Sequence, residues 1–163
     1  MAINNPNIAA YKPFYIQANG TVYETMADLG LIAKSNPYNA LPKAKTPYSI
    51  DWSGEDGAQE YTAQMHYESF EFKVGFYIRA IGPTAAADIR DALNTFFSLV
   101  KNGTVKVYDS YTAIGRKDVR YVDFEEKSFS IIGDVARLVF DVTFKCNAPT
   151  VFCAFENGDI VDL

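Results

Sequence analysis

Between positions 70 and 78 apolar residues take every second place (Phe70, Phe72, Val74, Phe76, Ile78), with Glu71, Lys73 and Tyr77 among the residues between them and Arg79 just beyond. That alternation predicts a β-strand with one buried face. After Gly82-Pro83 the period changes. Ala85, Ile89, Ala92, Leu93, Phe96, Phe97 and Val100 recur at spacings of three and four. This predicts an amphipathic helix over about 84–101, with Thr84 as its N-cap and Asn102-Gly103 as its stop. At helical rise it would be about 25 Å long, enough to lie across one face of a small sheet. Alternation returns late in the chain, where Ala136, Leu138, Phe140, Val142, Phe144 and Cys146 are interleaved with Arg137, Asp141, Thr143 and Lys145. A register slip of one residue would turn that whole apolar face to water, so the pairing is strongly specified. Shorter strands are expected at 104–108 and 118–126. The stretch 128–132 stays open between strand and loop, ahead of a turn at Gly133-Asp134.

The first third of the chain reads differently. Pro6, Pro13, Pro37, Pro42 and Pro47 punctuate it, so residues 1–47 are expected to form an extended, loop-rich N-terminal arm. Short strands are expected near 14–16 and 21–25. Met26, Leu29, Gly30 and Ala33 leave a helical turn within 25–34 as an alternative. Residues 48–155 then form the β-rich core. At 163 residues, 1–163 reads as a single domain, able to bury about 70% of its unfolded surface. The fold class is α+β, mainly antiparallel β arranged as a sandwich or split barrel, with one main packed helix.

Composition narrows the partners more than the fold. The chain has 12 Phe, 11 Tyr and one Trp, a profile that suits pleated surfaces and protein interfaces. Its net charge of -5, with scattered Lys and Arg, argues against a nucleic-acid backbone as specific partner. Cys146 and Cys153 flank a short segment containing Pro149 that could bring them together. A chain this size does not need a disulfide, however, and two buried free thiols are expected. The N-terminus shows no charged region followed by an apolar run, and no stretch approaches the ~20 apolar residues of a membrane span, so no membrane insertion is expected.

No catalytic constellation emerges. His66 is the single histidine and has no second His or Cys at ligand spacing. Ser69 and Asp51 lack the nucleophile turn and oxyanion hole of a serine triad. The loop from Asp51 to Gly57 alternates oxygen-bearing residues, but its second glycine comes one place late for a calcium loop and no bidentate Glu follows. Glu125-Glu126 are adjacent, so on a strand they point to opposite faces, and they read as a solvated turn. Gly115-Arg116-Lys117 with Arg120 lacks the second glycine of a phosphate loop. It reads instead as a basic hairpin tip that meets an acidic partner, for which a neighbouring subunit's 51–56 loop is a candidate. The sequence thus assigns no catalytic, cofactor or metal residues. It nominates Trp52, Glu55, Asp56, Arg116, Lys117 and Arg120 as interface residues.

Three stretches in order carry a family likeness: 67–76 leading into the Ala-, Leu- and Phe-rich helix; 103–109 followed by 120–124; and 140–149, which ends in Phe144-Lys145-Cys146-Asn147-Ala148-Pro149. In these the chain resembles the N-terminal, ring-forming domain of phage distal tail proteins, over roughly residues 48–155. Many members carry a second, C-terminal β-domain, whereas this sequence ends at Leu163, so a host-receptor role is not part of the expectation. The resemblance implies a structural function without enzymatic activity or cofactor. Identical copies, commonly six, form a ring in the virion tail, assembled in the host cytoplasm, which joins the tail tube protein to baseplate or tip proteins. A tail tube or tail-completion subunit is the alternative of the same class. A small-ligand or carbohydrate-binding β-domain, with Trp52 and exposed tyrosines lining its site, is the alternative of a different class.

Overall fold

The computed structural model describes residues 12–35 and 41–163. In chain order the elements are β1 (Phe14–Ala18), β2 (Thr21–Glu24), α1 (Thr25–Leu29), β3 (Ile32–Ser35), β4 (Ser49–Ile50), β5 (Gln59–Glu60), β6 (Phe70–Ile81), α2 (Ala85–Val100), β7 (Val105–Asp109), β8 (Ile114–Ile132), β9 (Val135–Cys146), β10 (Cys153–Glu156) and β11 (Asp159–Asp162). The fold is α+β and mainly antiparallel β, as the patterning predicts. The main sheet has nine strands in the order β2-β1-β7-β8-β9-β6-β3, with the β10–β11 hairpin attached to β8, while β4 and β5 form a separate two-stranded ribbon.

The two best-patterned strands pair over their full length, from Phe70 opposite Cys146 to Ile81 opposite Val135. Val74, Phe76, Phe140, Val142 and Phe144 are buried on their common inner face. Phe76 sits at the centre. Its ring meets Phe140 on β9 at 5.7 Å, Phe96 on α2 at 5.8 Å and Phe14 on β1 at 6.0 Å. Three strands lie between β1 and β6 in the sheet, so the Phe14–Phe76 contact means that the sheet curls over on itself, with its two halves facing each other. Helix α2 packs against β6 and β9, burying Ala85, Ile89, Phe96 and Val100. Thr84 stands at its N-cap, but its hydroxyl donates to the Asp88 carboxylate (3.3 Å) rather than capping a backbone N–H.

The N-terminal expectation needs correction. Residues Phe14–Ser35 are not an arm: β1 pairs with both β2 and β7, β3 pairs with β6, and Phe14, Ile16, Leu29 and Leu31 belong to the core. Prolines punctuate this stretch without keeping it out of the sheet, because Pro13 falls just before β1, where no ladder N–H is required. Residues 1–11 of the expected arm lie outside the described residues. The turn between β1 and β2 places Asn19 and Gly20 at φ 52° and 79°, a left-handed pair that matches strand twist and is accessible to Asn-Gly. Asn157-Gly158 repeats it between β10 and β11.

The region expected as strand 118–126 plus an undecided 128–132 is one strand, β8, which begins earlier and runs through both. Register shifts between Tyr121 and Asp123 and between Glu126 and Ser128 interrupt the period of two, which is why alternation alone did not join the pieces. Glu125-Glu126 accordingly lie within a strand, not in a turn. Among the described residues no helix is long and apolar enough to cross a membrane. Cys146 and Cys153 are both free and buried.

Candidate assembly interface

Strand β8 has two environments. Its first part pairs with β7, from Ile114 opposite Asp109 to Val119 opposite Val105. Val119 also pairs with Cys146, and from there to Ile132 the partner is β9. Among the described residues nothing pairs with the other edge of 120–132, which leaves a row of backbone donors and acceptors available to another chain. Every residue from Asp123 to Ile132 is exposed. Phe124, Phe129 and Ile131 lie opposite the buried Val142, Leu138 and Ala136, so they share the core-facing side of the sheet. The Phe124 ring stacks on Phe140 at 4.9 Å. Helix α2 packs mainly on β6 and β9 and meets β8 at Tyr121, whose ring lies 5.5 Å from that of Phe97. Farther along β8 an apolar strip continuous with the core is left at the surface, with Phe129 and Ile131 about half exposed.

The outward face of the same sheet is charged. Glu125 and Asp141 are register partners, and their like charges are bridged: Lys127 Nζ lies 2.8 Å from Glu125 and 3.7 Å from Asp141, and Lys73 Nζ lies 3.6 Å from Glu125. The hydrogen bond from Lys127 is the main cause holding the Glu125 carboxyl below its usual range.

The sequence-nominated interface residues separate into two groups. Trp52, Glu55 and Asp56 are exposed in the loop between β4 and β5, and Arg120 is exposed on β8. Arg116 is buried at 4% exposure, which corrects its assignment to a basic hairpin tip. Its guanidinium lies between the Phe152 and Phe70 rings, 4.3 and 5.2 Å from their centroids, and Nη1 donates to the Pro149 and Val151 carbonyls. It pins the 147–152 segment against β8. Burial pushes its pKa down, an effect partly offset by the nearby thiols of Cys146 and Cys153.

Lys117 is likewise engaged within the chain. Its Nζ lies 2.6 Å from one oxygen of Asp162 while Lys106 Nζ lies 3.3 Å from the other, tying β11 to β8 and β7. The Lys117 hydrogen bond is the main cause holding Asp162 below the usual carboxylate range. Gly115 completes this attachment: a Cβ there would stand 2.7 Å from the Cys153 carbonyl oxygen, so β10 lies against bare backbone. The basic residues therefore do not form one patch, because strand alternation sends Arg116 inward and Lys117 outward.

The β4–β5 ribbon carries a cleft of about 580 Å³ beside the Tyr48–Tyr61 ring pair (5.3 Å apart), lined also by Lys45, Met65 and the exposed His66. Among the described residues no group of three His, Cys, Asp or Glu side chains could hold a metal.

No family model matches the sequence, and no curated protein matches it. Solved structures do. The chain is similar in fold to the SPP1 Dit protein, described as a hub of the adsorption apparatus in phages infecting Gram-positive bacteria. The TM-score is 0.55 at 16% identity, covering 86% of this chain and 52% of that one. A chain of the phage P2 baseplate in its activated, calcium-bound conformation matches with a TM-score of 0.57 at 11% identity, covering 89% and 46%. The chain thus has the fold found in phage hub and baseplate proteins. It spans about half the length of each.

Proposed function

We propose that this protein is a structural, non-enzymatic component of a phage or prophage tail, of the distal-tail type. Identical copies form a ring, with six as the expected number, between the tail tube and the baseplate or tip. The observation that carries the reading is the open edge of β8 with Phe124, Phe129 and Ile131 beside it, on a fold shared with phage hub and baseplate proteins. An edge left unpaired among the described residues invites a further strand, and an apolar strip continuous with the core invites a further layer. A second copy supplies both. The acidic net charge suits a conduit that must pass DNA without holding it.

Light scattering coupled to size exclusion tests this. The expected result is an assembly of about 109 kDa, six times 18.2 kDa. The paired substitution Phe129→Ser and Ile131→Ser should abolish it while changing the stability of the isolated chain by about 0.5 kcal/mol or less per site, since both side chains are already exposed. A chain that stays monomeric at every concentration counts against the ring. Stacks of rings growing into tubes would favour the tail tube alternative.

A further inference from the structure

Two surface features lack a counterpart among the described residues, and they match each other. Arg79 on β6 and Arg137 on β9 are register partners on the outward face of the sheet, so two cations stand side by side. Like charges placed directly opposite each other destabilise a strand pair unless something neutralises them. Among the described residues neither arginine makes an ion pair within 4 Å, and Arg79 Nε is buried without a hydrogen-bond partner. Asp88 lines the same cleft as Arg79, but its carboxylate accepts from Thr84. The next row of that face is apolar: Ile81, Val135 and Ile132 are register partners, with Ile81 53% and Ile132 77% exposed. The result is a basic row against an apolar row at one end of the sheet.

The second feature is the tip of the β4–β5 ribbon. Asp51, Trp52, Glu55 and Asp56 are all exposed there, three carboxylates and one indole with no cation among residues 51–57. The ribbon is not paired with the main sheet, and a two-stranded ribbon alone is only marginally stable in water. Tyr48 and Tyr61 hold its base together.

We infer that the ribbon tip of one copy seats on the Arg79–Arg137 row of the next, with Trp52 on the Ile81–Ile132 row and the carboxylates of Asp51, Glu55 and Asp56 facing the guanidinium groups. The tip offers carboxylates and one indole, and the receptor offers two guanidinium groups beside an apolar row, so the two surfaces are complementary in charge and in apolar character. Tip and receptor are different parts of the molecule, so the contact is head to tail, the kind that closes rings. This rests on the ring reading above and specifies its partner surfaces. It also replaces the receptor expected from sequence, since Arg116 is buried and Lys117 is held by Asp162.

Two charge-reversed chains test it: R79E with R137E, and D51K with E55K and D56K. Each alone should assemble at least about tenfold more weakly than wild type, because tip and receptor then carry like charge. Mixed in equal amounts they should assemble again, since each chain's tip now meets the other's receptor around an even-numbered ring. Rescue by mixing cannot come from misfolding of either chain. Unimpaired assembly of both variants, or loss without rescue, overturns the tip contact while leaving the ring standing. A wild-type chain that never assembles overturns both.

Discussion

The two parts of β8 are one continuous strand in opposite circumstances. From Gly115 to Val119 it runs between β7 on one side and β9 or β10 on the other, and Gly115, Arg116 and Val119 are buried. From Asp123 onward it has β9 on one side only, and every residue is exposed. The first part is finished by the fold; the second presents core-type residues with nothing over them among the described residues. The difference places the buried residues and the exposed apolar ones in separate parts of the same strand, so that single substitutions can probe each part by itself.

The largest expected effect sharpens the boundary between the exposed part and the core beneath it. Phe140 joins the exposed part to the core, stacking on exposed Phe124 while its ring also meets buried Phe76. Phe140→Ala should lower unfolding free energy by about 3–5 kcal/mol in chemical denaturation. An effect below about 1 kcal/mol would mean that the core is not built around this row. Next comes the finished part. Arg116→Ala removes the cation between two rings and strips donors from two carbonyls. A loss of about 2–3 kcal/mol is expected. Arg116→Lys should restore little of it, because an ammonium cannot reproduce the planar fork. Full recovery with Lys would reduce the site to a point charge.

The smallest effect is the pH response of the C-terminal hairpin. The folded-state pKa of Asp162 is lowered, so its contribution is fully present above the unfolded value of about 3.9 and is lost as pH falls through the lower folded value. The protection factors of β11 amides, which remove the intrinsic pH dependence of exchange, should therefore fall below about pH 4 and stay level above it. Lys117→Met should remove most of that step. A step that survives this change would have to arise at another carboxylate.

Much of the fold was legible because one-sided burial writes a period into the chain. Phe70–Ile81, Ala85–Val100 and Val135–Cys146 follow their periods closely, and their pairing and packing form the centre of the molecule. The candidate interface was mostly not legible. Phe124, Phe129, Ile131 and Ile132 lie in a strand exposed on both faces and broken by two register shifts, so no alternation marks them. The available signal was Phe129, Ile131 and Ile132 ahead of Gly133, in a stretch whose sequence leaves strand and loop both open. The exposure of Trp52, Glu55 and Asp56 was legible, because an acidic, glycine-containing loop is recognised as surface without reference to a partner.

By itself, then, the sequence determined the class of fold, its central helix and the two long strands of its core, because burial on one face imposes a repeat that is local. Only the tertiary structure decided that residues Phe14–Ser35 enter the sheet, that Arg116 is buried between two rings, and that Arg79 and Arg137 stand side by side. Each of these depends on which distant strand lies alongside, and strand partnership is a property of the closed sheet that no local period encodes.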